Sequence, residues 1–218
     1  MALNKLTTGE SNNQTFKKRP LLEAGPYEGR VLGLVELGKR ANTYEPEKPA
    51  RNMIRIMFEI PDQTYETTNE KGEAVQSTYV FKRDVTASTH EKAFLTKLIK
   101  STNPGMDVKK GFKVTDVVGQ PVALVIEKSS FNNQQGETIE YNKAADISPI
   151  NKKLLPLEES NRETMVFDFD EPCAETFAKM PEFLKEELKK ALNYPGSAVQ
   201  KLENGTSDPI TNDTDAVC

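Results

Sequence analysis

Few residues in this chain can carry bond-making chemistry, and their spacing argues against most of it. His90 is the sole histidine, in Ser88-Thr89-His90-Glu91, where a hydroxyl beside an imidazole would suggest a nucleophile and its base. Neighbours at a helix start point in different directions, so a capping or surface role suits His90 better. Cys173 and Cys218 lie far from His90 in sequence and cannot complete the compact set of about four N, S or O ligands that zinc needs. They also make a poor disulfide, because a chain end gains little from being tied down. Asp168, Asp170 and Glu171 are a local acidic cluster, whereas two-metal hydrolysis needs carboxylates converging from separate elements. Phosphate-loop, Gly-x-Gly-x-x-Gly and Gly-x-Ser-x-Gly patterns are absent. The expectation is a protein that is not an enzyme and takes no cofactor or metal.

A second chemistry is better represented. Holding a single-stranded nucleic acid needs cations that follow phosphates and aromatic faces on which bases stack. Lys39, Arg40 and Tyr44 lie in or beside a polar loop, with Arg51 just after it. In Asn52–Ile60 (NMIRIMFEI), Ile54, Ile56, Phe58 and Ile60 share one face of a strand. Met53, Arg55 and Met57 share the other, an unusual solvent face and a candidate platform for base and phosphate. Arg55 could equally pair with Glu59 on that face. Tyr79, Phe81, Lys82 and Arg83 follow on the next strand. Alternation leaves open whether Tyr79 and Phe81 point inward, where core packing would claim them, or outward. Phe131 sits in a hairpin tip (FNNQQG), with Lys128, Tyr141 and Lys143 as weaker additions. The candidate DNA-binding set is therefore Lys39, Arg40, Tyr44, Arg51, Arg55, Tyr79, Phe81, Lys82, Arg83 and Phe131.

These residues must be positioned by β structure. Tyr27–Gly38 (YEGRVLGLVELG) reads as a strand whose three glycines mark bulges or tight bends. Asn52–Ile60 is the clearest strand, ended by Pro61-Asp62, and Val75–Arg83 pairs back on it. Ser88-Thr89 with Glu91 suggests a helix start, and Phe94, Leu95, Leu98 and Ile99 form an apolar stripe at helical spacing. Lys113–Val118 reads as a short helix or turn. Pro121–Glu127 and Thr138–Ile147 are the last two strands. The predicted fold is mainly β: a five-stranded OB-like barrel with a helix between its third and fourth strands, plus a C-terminal helical appendage. Residues 1–20 read as a flexible N-terminal arm, 21–150 as the OB-fold single-strand-binding domain, and 151–195 as a linker with a helix docking on barrel or partner. That helix is Pro181–Leu192 (PEFLKEELKKAL). Residues 196–218 read as a disordered polar and acidic tail.

Composition sets outer limits. The 218 residues carry a net charge of −4, unevenly spread: 21 basic against 19 acidic residues in 1–150, then 8 against 14 in 151–218. A near-neutral body with an acidic end is a layout common among single-strand binders, although charged tails are often merely solvated. No run of about 18 apolar residues offers a membrane span, and Met1–Lys5 lacks a signal peptide's apolar stretch. A cytoplasmic location is expected.

Longer stretches resemble a group of bacteriophage-encoded single-stranded DNA-binding proteins. They are Gly25–Gly38 (GPYEGRVLGLVELG), Arg55–Asp62 (RIMFEIPD), Ser88–Leu95 (STHEKAFL) and Val117–Ile126 (VVGQPVALVI), then Phe167–Asp170 (FDFD) and Met180–Leu188 (MPEFLKEEL). The resemblance runs over about residues 20 to 195. It implies an OB fold, sequence-independent binding of single-stranded DNA, and work in phage DNA replication or recombination in the host cytoplasm. The expected partners are single-stranded DNA and, through the C-terminal region, phage or host replication or recombination proteins. Many single-strand binders end in an acidic, aromatic-tipped tail, whereas this chain ends Asp213-Thr-Asp-Ala-Val-Cys, without the aromatic. The alternative is an OB module that binds protein, as a recombinase mediator, virion accessory or host-factor inhibitor, using Pro181–Leu192 and the exposed methionines.

Overall fold

The computed structural model describes residues 19–43, 45–69, 71–105, 113–133, 135–160 and 162–205. Five long strands arise where β-branched and aromatic residues alternate with polar ones: β1 (Gly25–Arg40), β2 (Arg51–Thr68), β3 (Ala74–Thr86), β4 (Pro121–Asn132) and β5 (Thr138–Ser148). They pair antiparallel in the order β3-β2-β1-β4-β5. The remaining seam, between β3 and β5, is bridged by the Arg83 guanidinium, which donates to the carbonyls of Ala144 (3.0 Å) and Ala145. The result is a nearly closed OB-like barrel, its interior filled by Ile54, Ile56, Phe58, Leu124, Ile126 and their neighbours. Helix α1 (Phe94–Thr102) lies between β3 and β4 in the chain and packs Leu95, Leu98 and Ile99 into the same core.

Several boundaries differ from the sequence reading. Strand β2 does not end at Pro61-Asp62. It continues to Thr68, because the proline falls in a register shift between Ile60 and Thr64, where no ladder amide is needed. Ser88 does not cap α1. Its hydroxyl accepts the His90 amide, and the helix begins at Phe94 after an uncapped Ala93. Arg19 and Pro20, assigned to a loose arm, are docked at the seam: Arg19 donates to the Val80 carbonyl, and the Tyr79 hydroxyl donates to that of Pro20. Alongside them, the Asn142 side chain binds both the N–H and the C=O of Leu22, as a strand neighbour would.

The C-terminal region builds a second layer. Strand β6 (Met165–Phe167) pairs parallel with Gly33–Val35 of β1. This close approach explains Gly33, whose added Cβ would lie 2.5 Å from the Met165 carbonyl. Three short helices follow, α2 (Ala174–Lys179), α3 (Glu182–Lys189) and α4 (Ala198–Glu203). Helix α4 occupies part of the stretch expected to be disordered: Ser197 caps it and Val199 is buried. Phe167, Phe169, Met180, Leu184, Leu188 and Val199 pack on Val35 and Leu37 of β1, with Met53 and Met57 of β2 at the margin. The outward face of the β1–β2 sheet is thus a second hydrophobic core.

Candidate nucleic-acid interface

The sequence-derived candidates separate into four groups. Tyr79 and Phe81, 3% and 4% exposed, belong to the barrel core, where their rings stack 6.4 Å apart. The Arg19 guanidinium lies over both rings, and neither face is open to a base. Arg83 is committed to the seam, with its guanidinium 3.9 Å above the Phe94 ring; burial lowers its pKa.

Arg55 and Arg40 are covered by the second layer, and Lys82, itself exposed, lies at its edge. Arg55 points away from the barrel interior, as alternation requires, yet it is 4% exposed. It grips Asp84 with two bonds of 2.7 Å, and Glu187 of α3 lies 3.9 Å away. These contacts, led by the bond to Asp84, raise the Arg55 pKa. Arg40 donates to the Glu187 carbonyl and lies 3.7 Å from its carboxylate; burial lowers the Arg40 pKa against that attraction. Lys82 carries its ammonium 5.6 Å from the centre of the Phe183 ring of α3. The Met53-Arg55-Met57 face is therefore a docking surface for the C-terminal layer. The partner of Arg55 on its own sheet is Asp84, directly opposite in register, rather than Glu59. Glu59 is instead the buried anchor of the segment leading to β6, bound by Arg30 (2.7 Å), Thr78 (2.5 Å) and Ser160 (2.7 Å).

Lys39 and Arg51 stay at the surface and share one groove. It has a volume of about 790 Å3 and runs between the start of β2, the end of β3 and the segment leading into α1. Among the described residues, its charged or titratable lining side chains are Lys39, Arg51, His90 and Lys92, with no carboxylate among them. Glu45 approaches Arg51 from outside at 3.8 Å. The His90 Nδ1 accepts the Lys92 amide at 3.3 Å, which fixes the turn presenting both side chains. Asn52, Thr86 and Ser88 add uncharged polar groups.

The sequence reading missed Lys92 and the groove role of His90. The antiparallel register carried the signal: Met53 pairs with Thr86, and Ala87 donates to the Asn52 carbonyl, so whatever follows β3 must flank Arg51. Phe131 is 53% exposed on the β4–β5 hairpin, in edge contact with Tyr141 at 5.8 Å. Tyr44 lies outside the described residues. In the acidic cluster, Asp168 accepts the amides of Asp170 and Glu171, a turn-forming role.

Fold and groove together define an OB-like barrel whose outward β1–β2 face is largely covered by its own C-terminal layer and whose cationic groove lies beside the segment leading into α1. No protein-family model matches the chain, and no curated protein matches it at a significant level.

Proposed function

We propose that this chain binds single-stranded DNA without regard to sequence, and so protects and organises single strands during phage DNA replication or recombination in the host cytoplasm. The observation that carries the reading is the groove: three permanent cations (Lys39, Arg51 and Lys92) with His90 and small polar groups, and no carboxylate among its described lining residues, on an OB-like barrel. Spaced cations without base-edge readers suit phosphates, which repeat regardless of sequence. The resemblance to phage single-strand binders points the same way. The reading is of binding rather than turnover, so an oligonucleotide should be recovered intact with or without divalent cations.

Fluorescence anisotropy of a labelled oligo-dT of about 30 nucleotides, at low and moderate salt with a duplex control, tests this. Single-strand binding that weakens with salt and is lost in Arg51→Ala/Lys92→Ala is expected. Absence of binding at micromolar protein would overturn it.

A protein-binding role has one observation in its favour: Phe183 and Leu192, 58% and 61% exposed, stand on the outside of the C-terminal layer. Under that reading, Phe183→Ser would abolish partner capture and leave oligonucleotide affinity unchanged.

A further inference from the structure

The groove does not end at Lys92. A second groove, of about 490 Å3, shares Lys92 and Ala93 with it and continues past Lys97 and Lys100 of α1 to Val125 of β4 and Asp146 of β5. Val125 and Asp146 face each other across the β4–β5 ladder, and so do Glu127 and Lys143, then Ser129 and Tyr141. By strand alternation Val125, Glu127, Ser129 and Phe131 point to the same, outward side of β4, opposite to buried Leu124 and Ile126. The surface that receives the second groove is therefore the surface that carries Phe131 and Tyr141. It covers roughly 20 Å along the strand from Val125 to Phe131.

Charge changes along this line. The first groove is purely cationic among its charged lining residues. The second sets Lys92, Lys97 and Lys100 against Glu91 and Asp146, with Lys97 bound to Asp146 at 2.5 Å. On the outward face of the hairpin, Lys143 meets Glu127 at 3.3 Å, and that pair cancels. Where phosphate attraction fades, two exposed rings appear, Phe131 (53% exposed) and Tyr141 (38%), in edge contact with each other. Stacking on such rings tolerates any base, because every base has a π-face.

We infer that a bound single strand leaves the Lys39–Arg51–Lys92 groove, passes along α1 by Lys97 and Lys100 and stacks its bases on Phe131 and Tyr141. This rests on the proposed function and adds to it a site and a path. The path avoids the outward face of β2, which the C-terminal layer fills.

The test uses the full chain with oligo-dT of about 5 and about 20 nucleotides, one within the groove and one long enough to reach the hairpin. Phe131→Ala/Tyr141→Ala should leave the short oligonucleotide's affinity within twofold and weaken the long one about tenfold or more. Its salt dependence should stay that of the parent. The Phe131→Leu/Tyr141→Leu variant, which keeps apolar contact across the hairpin but has no rings, should fail in the same way on the long oligonucleotide. With no tryptophan in the chain, tyrosine emission gives a second readout. The long oligonucleotide should quench it in the parent, and less so in Tyr141→Phe. Full affinity of either double variant for the long oligonucleotide, or equal losses at both lengths, would overturn the path. Failure of the parent to bind either oligonucleotide would overturn the nucleic-acid reading itself.

Discussion

Arg51 and Arg55 stand on the same strand, yet the same side chain does unlike work at the two positions. The Arg51 side chain is about half exposed and faces the groove; the Arg55 side chain is buried and locked between Asp84 and Glu187. Removing a partner from a buried pair leaves an uncompensated charge, so Arg55→Ala should cost about 3 kcal/mol of folding stability. The folded fraction should still bind oligo-dT normally. Arg51→Ala should reverse the pattern, with stability within about 0.5 kcal/mol of the parent and a clear loss of affinity. Denaturant midpoints and anisotropy measured together check both, and an Arg55→Ala protein that is stable but cannot bind would reject the assignment. Glu59 makes a pH-dependent counterpart. Burial would raise its pKa, but hydrogen bonds from Thr78, Ser160 and Arg30 outweigh that and hold it below the ordinary 4.5. A carboxyl with a depressed folded pKa binds fewer protons folded than unfolded. Its stabilisation is therefore complete above about 4.5 and is lost as pH falls through the lower, folded value. Asp146 and Glu187 shift the same way, chiefly through Lys97 and Lys190. The urea midpoint should fall below pH 4.5. In Glu59→Gln, less stable at neutral pH, it should fall less steeply; equal steepness would remove Glu59 from the acid transition.

At the scale of elements, strand β2 is sandwiched: Ile54, Ile56 and Phe58 enter the barrel, while Met53, Arg55, Met57 and Glu59 lie under the C-terminal layer. Leu184 and Leu188 of α3, each about 1% exposed or less, are its apolar anchors. Truncating either to alanine should cost about 2–5 kcal/mol. Because the layer shares β1 and β2 with the barrel, chemical unfolding followed by circular dichroism and by tyrosine emission should give coincident transitions. Separate transitions would mean that the layer is an independent lid. The period-2 pattern of β2, the order of five strands and the helix before β4 were legible in the sequence, because alternation and turn residues are local signals. What covers the second face was not. Arg40 and the Glu187 that meets it are 147 residues apart, and a charged residue at an outward position reads as solvent-facing until its cover is known. Tyr79 and Phe81 were ambiguous for the same reason, their burial being completed by Arg19 and Pro20 across the seam. The part of the site that alternation and register could place, Arg51 beside the loop after β3, is the part that forms the groove.

At the scale of the molecule, net charge misleads and its distribution informs. A chain of −4 should repel DNA at long range, yet many of its cations are already matched. Arg40 and Arg55 meet Glu187 or Asp84, Arg30 meets Glu59, Lys97 meets Asp146 and Lys189 meets Glu203. Pairs of this kind release no counterions when DNA arrives, so they add little to salt dependence. The groove cations are the ones positioned to replace condensed ions: Lys39, Lys92 and Arg51, whose contact with half-exposed Glu45 at 3.8 Å is solvent-screened. With about three phosphates neutralised on a single strand, log K should fall with log salt at a slope near −2. A count of all basic residues in the barrel region would suggest a far steeper line. Titrating oligo-dT binding between about 50 and 200 mM salt decides between them, and Lys92→Ala should flatten the slope by roughly 0.7. Lys82→Ala, whose ammonium lies over Phe183, should leave the slope where it was. A slope of −5 or steeper would mean that cations now held by the C-terminal layer are freed when the strand binds, and the sealed face would have to open.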